Sequence, residues 1–376
     1  MYLKSISLLN FKNYREAELE FCTGINCFTG SNGEGKTNLL DAVHYLSLCK
    51  SFFNPVDSQN ILHEAPFFVV RGVFVSDSEE EEVYCGLKRS QKKLFKRNKT
   101  EYSRLADHIG LFPLVMISPS DSELIHEGSE SRRKFMDGVI AQFDRVYLND
   151  LIAYARIVSQ RNALLKKFAE TGYFAQESIE IWDVQLVEFA RRIHEKREKL
   201  VAELIPVFQR YYEKISGGTE RVQLVYHSDL NEGDFDAVLR GAIKKDRLLQ
   251  HTTVGVHKDD LELTIDGYAV KKYGSQGQQK SYLIALKLAQ FDHIRRIKNC
   301  APLLLLDDIQ DKLDEARVMR LMEVVSGDHF GQIFITDTHA DRISGVFSEG
   351  VERQFRQFHI KGGVVKSTVE LLSNAK

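Results

Sequence analysis

The first part of the chain alternates apolar and polar positions with the two-residue period that is typical of β-strands. This alternation predicts strands at residues 2–9, 18–21, 67–75 and 83–87. A short apolar run at residues 114–117 ends at a Ser-Pro pair, which predicts one more strand and its end. The opening segment of the chain is therefore predicted to be rich in sheet.

The hydrophobic period changes in the middle of the chain. From about residue 131 to residue 212, apolar positions recur at steps of three and four, as at Leu148, Leu151, Ile152 and Ala155. This period and the scarcity of proline predict a helical block. Strands are predicted again at 222–227, 261–265, 303–306 and 332–335, with a helix at 279–295.

The order of elements is α/β, then helical, then α/β again, and it predicts one α/β lobe that is split in sequence by a helical insertion. We place lobe I at residues 1–117 plus 296–376, and the mainly helical lobe II at residues 118–295. No internal repeat or low-complexity segment interrupts this order.

Composition narrows the class of protein. The chain has 376 residues, of which 43% are hydrophobic and 28% are charged, as in ordinary globular proteins. The sequence shows no apolar run long enough for a transmembrane helix and no signal-peptide pattern, so we expect no membrane partner. Five scattered cysteines predict reduced thiols in a cytoplasmic protein. A net charge of -2 means that any nucleic-acid contact must come from local basic surface.

A complete phosphate-binding pattern lies between a predicted strand and a predicted helix at residues 36–49. The pattern G-x-x-x-x-G-K-[ST] is formed by Gly30, Ser31, Asn32, Gly33, Glu34, Gly35, Lys36 and Thr37. Glycines let the backbone N–H groups wrap a phosphate, and the helix N-terminus adds partial positive charge. We expect Lys36 to neutralise the β/γ oxygens of ATP and the Thr37 hydroxyl to ligate Mg²⁺.

Two acidic residues follow the most apolar predicted strand. Asp307 and Asp308 come directly after Leu303–Leu306, at the strand end where ligands bind in parallel sheets. We expect Asp307 to hold Mg²⁺ and Asp308 to position or deprotonate the attacking water. His339 follows the next predicted strand and is a candidate sensor of the γ-phosphate.

A third motif separates ABC-type ATPases from other phosphate-loop proteins. Ser275, Gly277 and Gln278 match the ABC signature LSGGQ in register and precede an amphipathic helix. A helix N-terminus with a hydroxyl and small residues suits the γ-phosphate of an ATP that is held by another subunit. We therefore predict an ATP-induced homodimer.

The motif order resembles the ABC/SMC-type ATPases, and the short insertion is similar to that of the RecF family, which lacks a long coiled coil. Segments such as Asn10–Tyr14, Ser131–Asp137, His257–Leu261 and Tyr273–Lys280 agree with that family along nearly the whole chain. The resemblance implies an ABC-type P-loop ATPase head with a mixed sheet and helices in lobe I and a mainly helical lobe II. It also implies nucleotide contacts from Lys12, Asn13 and Asn38.

A basic segment at residues 88–99 is a candidate DNA contact. Its basic residues are Lys88, Arg89, Lys92, Lys93, Lys96, Arg97 and Lys99. Because neither a recognition helix nor a zinc pattern is visible, we expect phosphate contacts that do not depend on base sequence.

The resemblance implies a weak, DNA-stimulated ATPase of recombinational repair that binds duplex or gapped DNA and acts with RecR and RecO to load RecA. Two alternatives remain open from the residues themselves. One is a P-loop phosphotransferase with a small-molecule acceptor, and the other is the ATPase subunit of an ABC transporter. ATP turnover that rises with duplex DNA, rather than with a metabolite or a membrane, would distinguish the DNA-repair hypothesis from these two alternatives.

Overall fold

The structure is a computed structural model and describes residues 1–218, 220–309, 313–338 and 353–371. The chain forms two compact units. Unit 1 comprises Met1–Ser122, Arg210–Thr219 and Ser275–Lys376, and unit 2 comprises Glu123–Gln209 and Glu220–Gly274. Each unit is therefore discontinuous in sequence.

The secondary structure has the following bounds. The strands are β1 (Tyr2–Phe11), β2 (Tyr14–Glu20), β3 (Ile25–Thr29), β4 (Phe67–Ser76), β5 (Glu79–Lys88), β6 (Leu94–Arg97), β7 (Thr100–Glu101), β8 (Leu114–Ile117), β9 (Val222–His227), β10 (Asp260–Ile265), β11 (Tyr268–Ala269), β12 (Leu303–Leu306), β13 (Ile333–Asp337), β14 (Phe355–Lys361) and β15 (Val364–Leu371). The α-helices are α1 (Lys36–Leu48), α2 (Glu123–His126), α3 (Ser129–Ile140), α4 (Arg145–Thr171), α5 (Gln176–Ser216), α6 (Phe235–Leu249), α7 (Val270–Tyr273), α8 (Gln276–Lys298) and α9 (Glu315–Val325).

Among the described residues, unit 1 contains two six-stranded sheets. The first has the order β2-β1-β4-β5-β6-β7 and is antiparallel. The second has the order β15-β14-β3-β13-β12-β8, and only its edge strand β15 is antiparallel to its neighbour. All four residues of β12 are buried, as expected for an interior strand of a parallel sheet.

Helix α1 and both sheets of unit 1 share one hydrophobic core. Phe11 and Phe68 of the first sheet, Leu46 of α1, and Leu303 and Phe334 of the second sheet belong to the same buried cluster. Rings meet edge to face within it, with 5.3 Å between the centroids of Phe11 and Phe68. This core fixes α1, and hence the loop that precedes it, relative to the parallel sheet.

Unit 2 is mainly helical, with a small antiparallel sheet of order β11-β10-β9. Two arginines with fully or almost fully buried side chains tie its segments together. The guanidinium of Arg161 contacts Asp183 and Asp246, each at 2.6 Å. Arg197 contacts Asp259 at 2.7 Å and also Asp137. Loss of one partner from such a pair leaves a buried charge uncompensated, so these contacts specify how the helices pack.

The unit boundaries differ from those expected from sequence. Residues 118–122, 210–219 and 275–295, which we placed in lobe II, cluster with unit 1. The reason is that α8 packs against β8 of the parallel sheet, and its residues from Ser281 to Phe291 are buried. The helix itself was predicted correctly, but it is buried on every face from Ser281 to Phe291 and is not amphipathic, and its pattern could not show which sheet buries it.

Several elements were missed from the sequence. Strands β6, β7, β14 and β15 and helices α6 and α9 had no predicted counterpart, and β2 begins four residues earlier than expected. The exposed positions of β2 are charged, so its hydrophobic alternation is confined to one face.

The five cysteines are unpaired. None of the helices that the structure describes has the length and apolar character needed to cross a bilayer.

Candidate functional site

The phosphate loop connects β3 to α1 with a backbone that favours glycine. Gly30 has φ 145° and Gly35 has φ 114°, both in the range that L side chains rarely adopt. A Cβ atom at Gly30 would overlap the carbonyl oxygen of Ile360, and one at Gly35 would lie 2.5 Å from Nδ2 of Asn13. The loop therefore packs closely against other segments of unit 1.

The side chain of Lys36 folds back into the phosphate loop. Its Nζ donates hydrogen bonds to the carbonyl oxygens of Gly30 at 2.6 Å and Ser31 at 2.9 Å. Burial lowers the pKa of the Lys36 ammonium, while the nearby carboxylates of Asp308 and Asp307 oppose that shift. The charged side chain is thus held within the loop by backbone oxygens and acidic neighbours.

A small cavity opens beside the loop and has a volume of about 170 Å³. It is lined by Asn32, Gly33, Gly35, Lys36, Thr37, Asn38, Asp308 and Thr336. The structure therefore brings five of the eight predicted loop residues and the second predicted carboxylate to one space, whereas Gly30, Ser31 and Glu34 do not line it.

Asp307 links the phosphate loop to the ends of two strands. Its Oδ1 accepts hydrogen bonds from the hydroxyls of Thr37 and Thr336, each at 2.9 Å. Burial raises the pKa of the Asp307 carboxyl, and the two hydroxyl donors oppose the shift. Thr37 and Asp307 offer the hard oxygen ligands that Mg²⁺ prefers, so the residues present fit the predicted metal role.

Asp308 differs from its neighbour in exposure and in backbone conformation. Asp307 is buried, whereas the side chain of Asp308 is exposed. Asp308 has φ 46°, in the left-handed region, and its N–H donates to the hydroxyl of Thr336 at 2.9 Å. Thr336 was missed from sequence, although it stands at the carboxyl end of β13, beside β12. His339 lies outside the described residues.

The three residues expected to contact nucleotide by resemblance have different partners. The Nδ2 group of Asn13 donates to the carbonyl of Glu34 at 3.1 Å, and Nδ2 of Asn38 donates to Oδ1 of Asn13 at 2.7 Å. Lys12 instead forms an ion pair with Asp41, at 2.6 Å. The side chain of Asp41 is fully buried, and a buried carboxylate needs a counter-charge. Asn13 and Asn38 therefore border the loop, while the ammonium of Lys12 is engaged elsewhere.

The signature residues form the N-terminus of α8. Ser275 is the N-cap residue, its Oγ accepts from the N–H of Gln278 at 3.2 Å, and its own N–H donates to Oε1 of Gln278 at 2.7 Å. This reciprocal pair is a capping box. A Cβ at Gly277 would lie 2.7 Å from a guanidinium nitrogen of Arg317, so that side chain packs against the start of α8. Ser275 is exposed, so its hydroxyl is also accessible from outside the subunit.

The basic segment divides into exposed and engaged residues. Lys88, Arg89, Lys92 and Lys99 are exposed, and Lys96 is half-buried. Nε of Arg89 nevertheless donates to the carbonyl of Ala65 at 3.0 Å, and the other two basic side chains also have partners within unit 1. Lys93, 11% exposed, pairs with Asp57 at 2.8 Å and donates to the carbonyl of Cys49 at 2.6 Å, while Arg97 pairs with Glu81. These contacts correct the expectation that all seven residues are available to DNA.

Comparison with known proteins places this geometry in a family. A family model described as the RecF/RecN/SMC N terminal domain matches residues 2–358. The DNA replication and repair protein RecF of Phocaeicola vulgatus is 51% identical over 99% of this chain and 100% of its own length. The RecF protein of Flavobacterium johnsoniae is 50% identical over 92% of this chain and 96% of its own length.

Solved structures agree with the sequence comparison. The recombination mediator protein RecF with ATP, described as part of the RecFOR pathway, is 31% identical and superposes with a TM-score of 0.86 over 98% of this chain and 97% of its own. An Smc head bound to the C-winged helix domain of ScpA has 16% identity and a TM-score of 0.60 over 99% of this chain and 98% of its own, which is a likeness of fold. Sequence and fold together show that the chain belongs to the RecF family of DNA replication and repair proteins, with the ABC/SMC-type ATPase head fold.

Proposed function

We propose that this protein is an ATP-dependent DNA-binding protein of recombinational repair and replication-fork recovery. The convergence of Lys36, Thr37 and Asp308 on one cavity is the observation that supports the proposal best. The related RecF structure described with ATP supports ATP as the nucleotide. The phosphotransferase and transporter alternatives do not fit a chain of this family.

Residues at the cavity and beside it have proposed roles in ATP hydrolysis. Lys36 and the N–H groups of the loop hold the phosphate oxygens, with Asn13 and Asn38 supporting the loop. Thr37 and Asp307 hold Mg²⁺, which supplies positive charge to the β- and γ-phosphate oxygens when it is bound. Asp308 positions the attacking water, because its carboxylate is exposed at the cavity. We retain His339 as a proposed γ-phosphate sensor.

The complete site is composite and needs two subunits. Ser275, Gly277 and Gln278 of a second copy cover the γ-phosphate with a hydroxyl and a helix N-terminus. A twofold dimer makes this contact twice and encloses two ATP molecules. ATP favours the dimer through this contact alone, since a ligand shifts an equilibrium only by its differential affinity. ADP lacks the γ-phosphate and releases the dimer.

The dimer is proposed to act on duplex or gapped DNA. The exposed lysines of the basic segment contact phosphates without reading base sequence. Binding stimulates a weak ATPase, which serves as a switch rather than as metabolic catalysis. By relationship to the RecFOR pathway protein, RecR and RecO are the proposed partners in loading RecA. We place this activity in the cytoplasm, where unpaired cysteines such as the five in this chain are stable.

Sedimentation velocity of the Asp308→Asn variant tests the proposal. We expect a monomer without nucleotide or with ADP, and a dimer with ATP that also binds duplex DNA. The parent protein is the matched control, and its ATP turnover should rise when duplex DNA is added. A monomer under all conditions, with ATP turnover that does not respond to DNA, contradicts the proposed ATP-dependent DNA-binding dimer.

A further inference from the structure

Unit 1 has a second cavity, larger than the one at the phosphate loop, with a volume of about 700 Å³. Its walls come from the end of α5, the second half of α8, the second half of α9 and the segment before β13. Volumes of this size are typical of ligand sites. The proposed function makes no use of this cavity, which we call the basic cleft.

The order of elements places the basic cleft away from the phosphate loop. Helix α8 leads into β12 and α9 leads into β13, so their final turns lie near the amino ends of those strands. The phosphate loop follows the carboxyl end of β3, which is parallel to β13. The two cavities therefore lie toward opposite ends of the parallel strands of the same sheet. A ligand in one cavity leaves the other accessible.

Four cationic side chains surround the basic cleft, together with two carboxylates. The cationic residues are Arg210, Lys214, Arg295 and Arg320, and the carboxylates belong to Asp292 and Glu323. The formal charge of these six residues is therefore positive, at 4 - 2 = +2. Arg210 and Lys214 are exposed, so their charges reach solvent at the mouth of the cleft.

Internal contacts hold the arginines of the basic cleft in place. Asp292 accepts a hydrogen bond from the hydroxyl of Tyr211 at 2.7 Å, and its carboxylate lies 3.4 Å from Nε of Arg295 and 3.9 Å from Nη2 of Arg210. This carboxylate is therefore a nearby counter-charge for both guanidinium groups. Ordered arginines lose less conformational entropy when they bind a carboxylate or phosphate.

Arg320 is fixed by the end of α5. Its Nη1 donates to the carbonyl of Ser216 at 2.9 Å. A side chain on Gly217 would overlap this guanidinium, and Gly217 also has φ 64°. The absence of a side chain at Gly217 thus leaves room for Arg320 at the wall of the cleft. Arg320 is held there by its hydrogen bond to α5 and is not a mobile surface charge.

We propose that the basic cleft binds an acidic peptide segment of a protein partner. Asp292 and Glu323 in the lining disfavour a continuous run of phosphates, whereas a peptide can space its carboxylates to meet the arginines and avoid the two acids. Tyr211 and Val324 add apolar surface that suits side chains between those carboxylates. Arginine clusters recognise acidic motifs in this way.

Fluorescence anisotropy with a labelled peptide, in which aspartate alternates with apolar residues, tests this proposal on the full chain. The parent protein should bind it and should not bind the same peptide with asparagine for aspartate. The double substitution Arg210→Glu and Lys214→Glu should weaken peptide binding at least about tenfold by charge repulsion. Arg296→Glu is the matched control, because Arg296 is exposed on the same helix as Arg295 but does not line the cleft.

Binding of a fluorescent ATP analogue checks that each variant is folded, since the phosphate loop lies toward the other end of the parallel strands. The milder double substitution Arg210→Gln and Lys214→Gln is measured in parallel, in case the double glutamate variant does not fold. Equal peptide binding by the parent and these variants overturns the proposal, as does a parent that binds no acidic peptide. Loss of duplex DNA binding in the variants, without peptide binding in the parent, assigns the cleft to phosphate contact and also overturns it.

Discussion

The hydroxyl of Thr37 donates a hydrogen bond of 2.9 Å to Oδ1 of Asp307, which stands 270 residues later in the chain. This contact joins the start of α1 to the carboxyl end of β12. It brings a phosphate-loop hydroxyl and a buried carboxylate to one point, where oxygen ligands for Mg²⁺ are needed.

Lys36→Ala should weaken ATP binding by about tenfold to one hundredfold, because hydrogen bonds from a charged donor contribute about 1.5–3 kcal/mol. Titration of a fluorescent ATP analogue measures the effect. Lys50→Ala is the matched control, since Lys50 is an exposed lysine just beyond the end of α1. Near-parental affinity in Lys36→Ala would show that the loop does not hold the phosphates.

Asp308→Asn should bind ATP like the parent but hydrolyse it at least about one hundredfold more slowly, within the range assigned to positioned acid–base groups. Asparagine is the suitable substitute because Asp308 has φ 46°, a conformation that asparagine also tolerates. Single-turnover hydrolysis with duplex DNA is the measurement. Parental turnover in this variant moves the catalytic role to another residue.

Replacement of Lys88, Lys92, Lys96 and Lys99 by alanine should weaken duplex binding for all sequences. The slope of log K against log salt should shrink by about 0.9 for each phosphate contact that is lost. Anisotropy titrations at several salt concentrations give the slope. An unchanged slope shows that the basic segment is a solvated face and that DNA binds another surface.

Lys93→Ala serves as the contrasting variant for the same segment. Its partners Asp57, Tyr45 and the carbonyl of Cys49 lose a shared cation, so the free energy of unfolding should fall by about 1–3 kcal/mol. The salt slope of DNA binding should stay at the parental value. Urea denaturation and the DNA titration together separate a structural lysine from a DNA-contacting one.

Ser275→Asp should block ATP-driven dimerisation while leaving the fold intact. Aspartate is as good an N-cap as serine and preserves the cap of α8, but its charge repels a γ-phosphate from the second subunit. Ser275→Asn is the matched neutral cap. Sedimentation with ATP distinguishes the two, and a normal ATP-dependent dimer of Ser275→Asp would leave Ser275 as a helix cap alone.

Stability should fall as the pH drops below about 6.5. Burial lowers the pKa of His44 and of His108 to about 4, from 6.5 in the unfolded chain. Between these values the unfolded state binds more protons, so each histidine contributes stability above about pH 6.5 that is lost on acidification, by up to about 3 kcal/mol. Urea denaturation between about pH 7 and 5 measures this loss, and His108→Gln should make it shallower.

The residues of the candidate nucleotide site and the type of its main elements could be predicted from local patterns in the chain. The loop from Gly30 to Thr37 and the apolar strand before Asp307 are visible because their constraints are local: glycine is needed for the backbone, and apolar side chains for a strand buried on both faces. The same is true of the capping residues at Ser275. Similarity along the whole chain then indicated the family.

Which of these side chains are available could not be predicted, because it depends on contacts between segments that are distant in the chain. Lys12 pairs with Asp41, and Lys93 with Asp57, although a lysine in the sequence carries no mark of its partner. Packing against β8 assigned α8 to unit 1, and Thr336 reached Asp307 only because β13 lies beside β12. Such contacts depend on which segments meet across the fold, because a charge or hydroxyl is satisfied by whatever lies nearby in space and not by its neighbours in the chain.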